Sequence, residues 1–206
     1  MSLVMGLCGV VLAAGESTRM GRDKALLPWP PEGPGTLLSA AIDVLNEYCE
    51  MVIVVAGKNE PALQAIAYGC GAFLARNPAP ERGQFSSLQT GLREVLNRGR
   101  DAAMITLVDR PPPQRTTLAT LVSSFAGRNH GVWAVIPEHG GKHGHPILVG
   151  REMIEAFLTA PVTANAREIE HENQPKITYV TVGDPLVTTN VDTAADYAAL
   201  GSQFRA

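Results

Sequence analysis

The chain has 206 residues, 45% of them apolar, and a formal net charge of −3, which suits one sizeable hydrophobic core and leaves too little for two independent ones. The absence of a basic excess excludes a nucleic-acid surface as the main partner. Three widely spaced cysteines, Cys8, Cys49 and Cys70, form neither a disulfide framework nor a Cys-x-x-Cys metal pair, so a reducing, cytoplasmic setting is expected.

Leu3 to Ala14 is apolar, but it is too short to cross a bilayer and no basic residue precedes it, so Leu7 to Ala13 reads as a buried first strand. Pro28 to Gly35 follows as a Pro/Gly-rich loop. Further apolar runs at Met51 to Ala56, Ala72 to Ala75, Ala102 to Val108 and Val132 to Ile136 read as strands, with helical patterns near 36–48, 60–68, 86–97 and 115–126. Beyond residue 145 come a short strand at Pro146 to Val149, helices near 151–159 and 163–171, a strand at Lys176 to Val182 and a last helix from Thr193. This alternation predicts an α/β fold, a three-layer, doubly wound and mostly parallel sheet forming a single domain over residues 1–206. In such sheets ligands bind beyond the carboxyl ends of strands. Four segments in such positions carry the candidate chemistry.

The first is Leu12-Ala13-Ala14-Gly15-Glu16-Ser17-Thr18-Arg19-Met20-Gly21-Arg22-Asp23-Lys24. Gly15 and Gly21 permit tight turns and close backbone approach, Ser17, Thr18 and the loop amides offer donors, and Arg19 and Lys24 offer charge for a triphosphate. It is no Walker loop, because Met20 stands where the second glycine belongs. The dinucleotide fingerprint also fails, since Gly6 and Gly9 precede the apolar strand.

The second is Leu107-Val108-Asp109-Arg110-Pro111, where Asp109 suits either a magnesium ligand or a cap on the following turn. The third is Asn190-Val191-Asp192-Thr193-Ala194-Ala195-Asp196, with Thr193 a helix N-cap and Asp192 either a second carboxylate or part of the cap. The fourth joins Asn77-Pro78 to Gly83-Gln84-Phe85-Ser86-Ser87-Leu88. Here the hydroxyls of Ser86 and Ser87 at a helix start suit an acceptor phosphate or simple N-capping, and Phe85 suits a flat ring or a pocket wall. The glycine-rich stretch holding His139, His143 and His145 reads as a mobile loop in preference to a zinc site.

The first segment resembles Leu-Ala-Ala-Gly-x-Ser-x-Arg-Met-Gly-x-x-Lys of the molybdenum cofactor cytidylyltransferase and guanylyltransferase family, and the other segments resemble its Leu-x-Asp-Gln-Pro, Asp-Ile-Asp-Thr and Asn-Pro…Ser-Ser-Leu motifs. Arg110 replaces the usual Gln, and Gln84 and Phe85 replace a Met and a Ser. Gly144-His145-Pro146 resembles a family Gly-His-Pro motif. The resemblance implies a nucleotide-diphospho-sugar transferase type of fold, with nucleotide binding in about 1–110 and acceptor binding in about 111–206. It implies Mg²⁺ on Asp109 and Asp192 and catalysis by Arg19 and Lys24. Leu12, Ala13, Ala14, Gly15, Ser17, Thr18 and Gly21 would bind the nucleotide, and Asn77, Ser86, Ser87 and His145 the acceptor, molybdopterin. Ala14 points to CTP, because guanylyl members read Leu-Ala-Gly-Gly there, whereas Asp23 is common in members that use GTP. A molybdoenzyme or its chaperone is the implied protein partner. A sugar-1-phosphate nucleotidyltransferase and a non-catalytic cofactor chaperone are the competing readings.

Overall fold

The computed structural model describes residues 6–17, 20–161 and 163–203. Thr18 and Arg19 lie outside the described residues. In chain order the elements are β1 (Leu7–Leu12), β2 (Pro28–Trp29), β3 (Gly35–Thr36), α1 (Leu37–Asn46), β4 (Met51–Ala56), α2 (Glu60–Gly69), β5 (Phe73–Arg76), α3 (Gln84–Asn97), β6 (Ala102–Leu107) and α4 (Arg115–Ala126). They continue with β7 (Ala134–His139), β8 (Lys142–His143), β9 (Ile147–Gly150), α5 (Arg151–Thr159), α6 (Ala166–Glu172), β10 (Ile177–Thr181) and α7 (Ala194–Gln203).

The main sheet runs β10-β7-β9-β6-β1-β4-β5, with β8 paired to β7. Pairs β1/β4, β1/β6, β4/β5 and β7/β10 are parallel, while β9 is antiparallel to both β6 and β7. The expected α/β sheet is therefore present, and its antiparallel insertion falls at the short strand after residue 145. The chain leaves β1 toward β4 and β5 and then returns to β6 on the other side. Such a reversal of strand order opens a crevice at the carboxyl ends of β1 and β6.

Both faces of the sheet are covered, which is why β1 is buried along its whole length and reads as a continuous apolar run. Its alternate residues face opposite layers. Leu7 and Val11 pack with Leu38, Ile42, Leu63, Leu118 and Phe125 from α1, α2 and α4. Cys8, Val10 and Leu12 pack with Leu88, Leu92, Ile154 and Phe157 from α3 and α5. At Leu88, Leu92 and Val95 α3 presents an apolar stripe to the sheet. Beside it the Gln89 amide donates to the carbonyls of Phe157 and Ala160 at 2.9 and 3.1 Å, which pairs acceptors left open at the end of α5.

Several boundaries differ from the sequence expectation for identifiable reasons. Helix α3 begins at Gln84, two residues early, because Gly83 at φ 89° makes the turn that the two serines were expected to cap. Helix α6 begins at Ala166, where Asn165 and Glu168 form a reciprocal capping box. Pro28 to Gly35 contains the small antiparallel pair β2/β3. The glycine-rich histidine stretch is a tight hairpin of β7 and β8 through Gly140 and Gly141, both at positive φ, a two-residue turn that only such residues enter easily.

Gly91 marks where α3 presses hardest on the sheet, since a Cβ there would lie 2.7 Å from a Val10 methyl and 2.9 Å from a Val55 methyl. Gly91→Ala is expected to destabilise the protein by about 1–3 kcal/mol through overpacking, read as a lower urea midpoint at an unchanged slope.

Candidate active site

Strand β1 is held to its end on both sides, because Ala13 N donates to Val55 O at 2.9 Å and Val108 N donates to Leu12 O at 3.1 Å. The chain then leaves the sheet into the first candidate loop. Among its described residues Ser17, at φ 49°, and Gly21, at φ 72°, are left-handed. Gly15 faces open space where a Cβ would meet nothing. Ser17 closes the loop on itself, its carbonyl accepting from Met20 N and its hydroxyl from Lys24 N at 3.1 Å.

Asp23 braces this loop from behind. One carboxylate oxygen accepts from Ala25 N at 3.0 Å and the other from the Asn59 amide at 2.7 Å. Asn59 also donates to Ala13 O and accepts from Gly57 N. The sequence reading missed Asn59, although Gly57-Lys58-Asn59 directly follows the apolar run of β4. Ala13 is buried within the core on the α1 side, away from the crevice.

The Lys24 ammonium lies 3.2 Å from Asp109 Oδ2 and 2.9 Å from Asp192 Oδ1. Lys24 is itself buried, at 8% exposure, so its charge depends on these two carboxylates. Asp109 follows β6, and Asp192 arrives because Val191 N donates to the Asp109 carbonyl at 2.8 Å. Asp196 then fastens the turn, one oxygen accepting from the backbone of Asp192 and Thr193 and from the Thr193 hydroxyl. The capping role thus belongs to Thr193 and Asp196, which leaves the Asp192 carboxylate on Lys24.

Two oxygens of separate carboxylates converging on one cation are a donor set suited to a hard divalent ion that keeps water and substrate oxygens in its shell. Among the described residues no group of three or more His, Cys, Asp or Glu side chains is placed to form an all-protein metal cage. The three histidines of this stretch diverge. His139 Nδ1 meets Val182 O, His143 stacks on Tyr179 with ring centroids 4.0 Å apart, and His145 Nδ1 lies 3.4 Å from Ile105 O.

A cavity of about 250 Å³ lies beside Lys24 and Asp109, lined also by Ala14, Gly15, Ser17 and Ser87. A larger one of about 1040 Å³ adjoins it, and Leu12, Gly83 and Gln84 line both. His145, Arg110, Phe85, Arg167 and Glu170 line the larger cavity. Phe85 packs edge-on to Phe157 and forms wall. Asn77 and Ser86 line neither cavity. The buried Asn77 amide donates to Ser86 Oγ and Ser87 Oγ at 2.8 and 2.9 Å, and the Ser86 hydroxyl turns back to Gly83 O. Their place is under the start of α3, holding it.

Burial, helped by the Arg110 charge, pushes the His145 pKa from 6.5 down to about 3, so this imidazole is neutral at physiological pH. Glu170 moves the other way, burial raising its pKa to about 7 against the pull of Arg167. Glu170 and Tyr179 escaped the sequence reading because a lone Glu in a helix and a Tyr in a strand carry no motif.

A family model described as a MobA-like NTP transferase domain matches residues 9–177. A probable molybdenum cofactor guanylyltransferase of Mycobacterium avium is 31% identical over 204 residues, 98% of each chain. The molybdenum cofactor cytidylyltransferase of Escherichia coli is 28% identical over 189 residues, covering 87% of this chain and 93% of its own. Among solved structures, Rv0371c of Mycobacterium tuberculosis superposes with a TM-score of 0.78 at 25% identity, over 98% of this chain and 100% of that one. A Methanothermobacter nucleotidyl transferase reaches 0.79 at 20% identity, over 98% and 99%, a likeness of fold alone. No helix among the described residues is long and apolar enough to cross a membrane.

The neutral His145 yields a prediction with a definite sign. Between pH 6.5 and about 3 the unfolded chain binds a proton there that the folded one refuses, so stability falls as pH drops through that window. The His145 ring proton shifts in NMR should stay flat from pH 8 to 5, and His145→Gln should flatten the acid limb of the stability profile. A His145 titrating near 6.5 would refute the buried, neutral assignment.

Proposed function

Because the chain belongs to the MobA-like NTP transferase family, we propose that it is a nucleotidyltransferase carrying CMP from CTP to molybdopterin, with release of pyrophosphate and with Mg²⁺ at Asp109 and Asp192. One observation carries this reading. Lys24, Asp109 and Asp192, from three distant segments, meet beside a cavity that adjoins a second, larger one.

Nucleotidyl transfer asks little covalent chemistry of a protein; it asks for in-line positioning and compensation of charge. The smaller cavity would take the triphosphate, with the amides around Gly15 and Ser17 facing its phosphates. Lys24 would neutralise charge on the phosphoryl oxygens in a desolvated setting, where an ammonium acts more strongly than in water. Arg19, in the same loop, would add a second positive charge. Mg²⁺, held by Asp109 and Asp192, would supply electrostatic stabilisation of the leaving pyrophosphate. The acceptor phosphate, already ionised at neutral pH, needs no general base, and His145 would offer the larger cavity a neutral hydrogen-bonding edge.

CTP is favoured by Ala14. Asp23, a residue common in members that use GTP, braces the loop at Asn59 here. GTP remains the second reading, because the M. avium relative is named a guanylyltransferase. Release of pyrophosphate from labelled triphosphate in the presence of molybdopterin separates either reading from a non-catalytic chaperone, and hexose 1-phosphates in place of molybdopterin test the sugar-nucleotide alternative.

Lys24→Ala and Asp109→Ala are each expected to lower transfer by about 10³-fold or more with the fold retained by circular dichroism; full turnover by either folded variant would defeat the assignment. CTP with Mg²⁺ should raise the melting temperature more than GTP with Mg²⁺, since only differential binding to the native state shifts it. Equal shifts would remove the preference for cytidine.

A further inference from the structure

The turn after β6 sends consecutive side chains to different cavities. Arg110 N donates to Leu107 O at 3.0 Å, and from this turn Asp109 lines the small cavity while Arg110 lines the large one. Arg110 Nη1 donates to Val187 O at 3.0 Å, and the same carbonyl accepts from His145 N, which fixes the guanidinium beside His145. Its Nε is buried with no hydrogen-bond partner. A half-buried guanidinium left partly unpaired is costly, and its planar fork of donors matches the oxygens of a phosphate.

The surroundings agree in sign. Arg82, Lys142 and Arg167 line the same cavity, with Glu170 as the opposing carboxylate. We infer that Arg110 is a specificity-determining residue of the larger cavity, one that binds the phosphate monoester of the acceptor and so selects acceptors that carry such a group. This rests on the proposed nucleotidyl transfer and adds to it a residue that departs from the Gln of the resembled motif. A Gln amide would carry no charge and could not form a fork on phosphate.

The test uses the whole protein, saturated with a non-hydrolysable CTP analogue and Mg²⁺ so that the small cavity is filled, and titrated with inorganic phosphate by calorimetry. Arg110→Gln should weaken phosphate binding by about 10- to 100-fold, and Arg110→Lys, which keeps the charge without the fork, should lose less. Affinity for the CTP analogue should stay unchanged in both variants, with the fold retained by circular dichroism. Phosphate binding by Arg110→Gln equal to that of the parent would overturn the inference. Equal losses of phosphate and analogue affinity would also overturn it, making Arg110 a brace for the Val187 carbonyl. Because no turnover is involved, failure of pyrophosphate release alongside Arg110-dependent phosphate binding would sink the proposed reaction alone.

Discussion

A single buried ammonium ties together segments that lie 85 and 168 residues apart in sequence. Lys24 has little access to water, so the two aspartates that compensate it are required for its charge, and it is required for theirs. Two carboxylates brought this close without a cation would repel. The shared charge therefore demands that β1, β6 and the turn before α7 end at the same point. The rest of the local structure serves that demand. Asn59 and Asp23 hold the loop before Lys24, Val191 is pinned to the Asp109 carbonyl, and Tyr197 of α7 donates to Pro28 O at 2.6 Å. Met20, Leu27, Leu37, Val191 and Leu200 pack into a small apolar cluster beneath the loop. That cluster gives the C-terminal helix a reason to return across the molecule.

Charge divides across the end of β6. On one side two carboxylates surround one ammonium; on the other, cationic side chains line a larger space with one carboxylate of raised pKa. The first side is balanced by its own charges, whereas the second side carries an excess of positive charge. Desolvation is the main reason that His145 stays neutral, and repulsion from Arg110 adds to it.

Much of the scaffolding is done by side-chain amides. Asn77 beneath α3, Asn59 beneath the loop and Gln89 between α3 and α5 each satisfy backbone or hydroxyl groups that would otherwise be unpaired. They set positions without touching either cavity's contents, which makes them poor candidates for chemistry and good ones for precision.

What the sequence alone determined is what local pattern and chemical type can carry: the alternation of apolar runs with helical stretches, the glycine-bracketed loop after β1, Asp109 just beyond an apolar run and Asp192 at a helix start. Hydrophobic periodicity and turn chemistry are read within a dozen residues, so strands and helices were legible to within a few positions. Only the tertiary structure decided the rest. It turned β9 antiparallel, gave Asn77 and Ser86 to the support of α3 and not to the cavity, made a hairpin of the histidine loop, and sent Asp109 and Arg110 to opposite sides. Those outcomes depend on which distant groups meet and on how much water is excluded where they do, and neither hydrogen-bond partnership nor desolvation is written in the order of residues along a single segment.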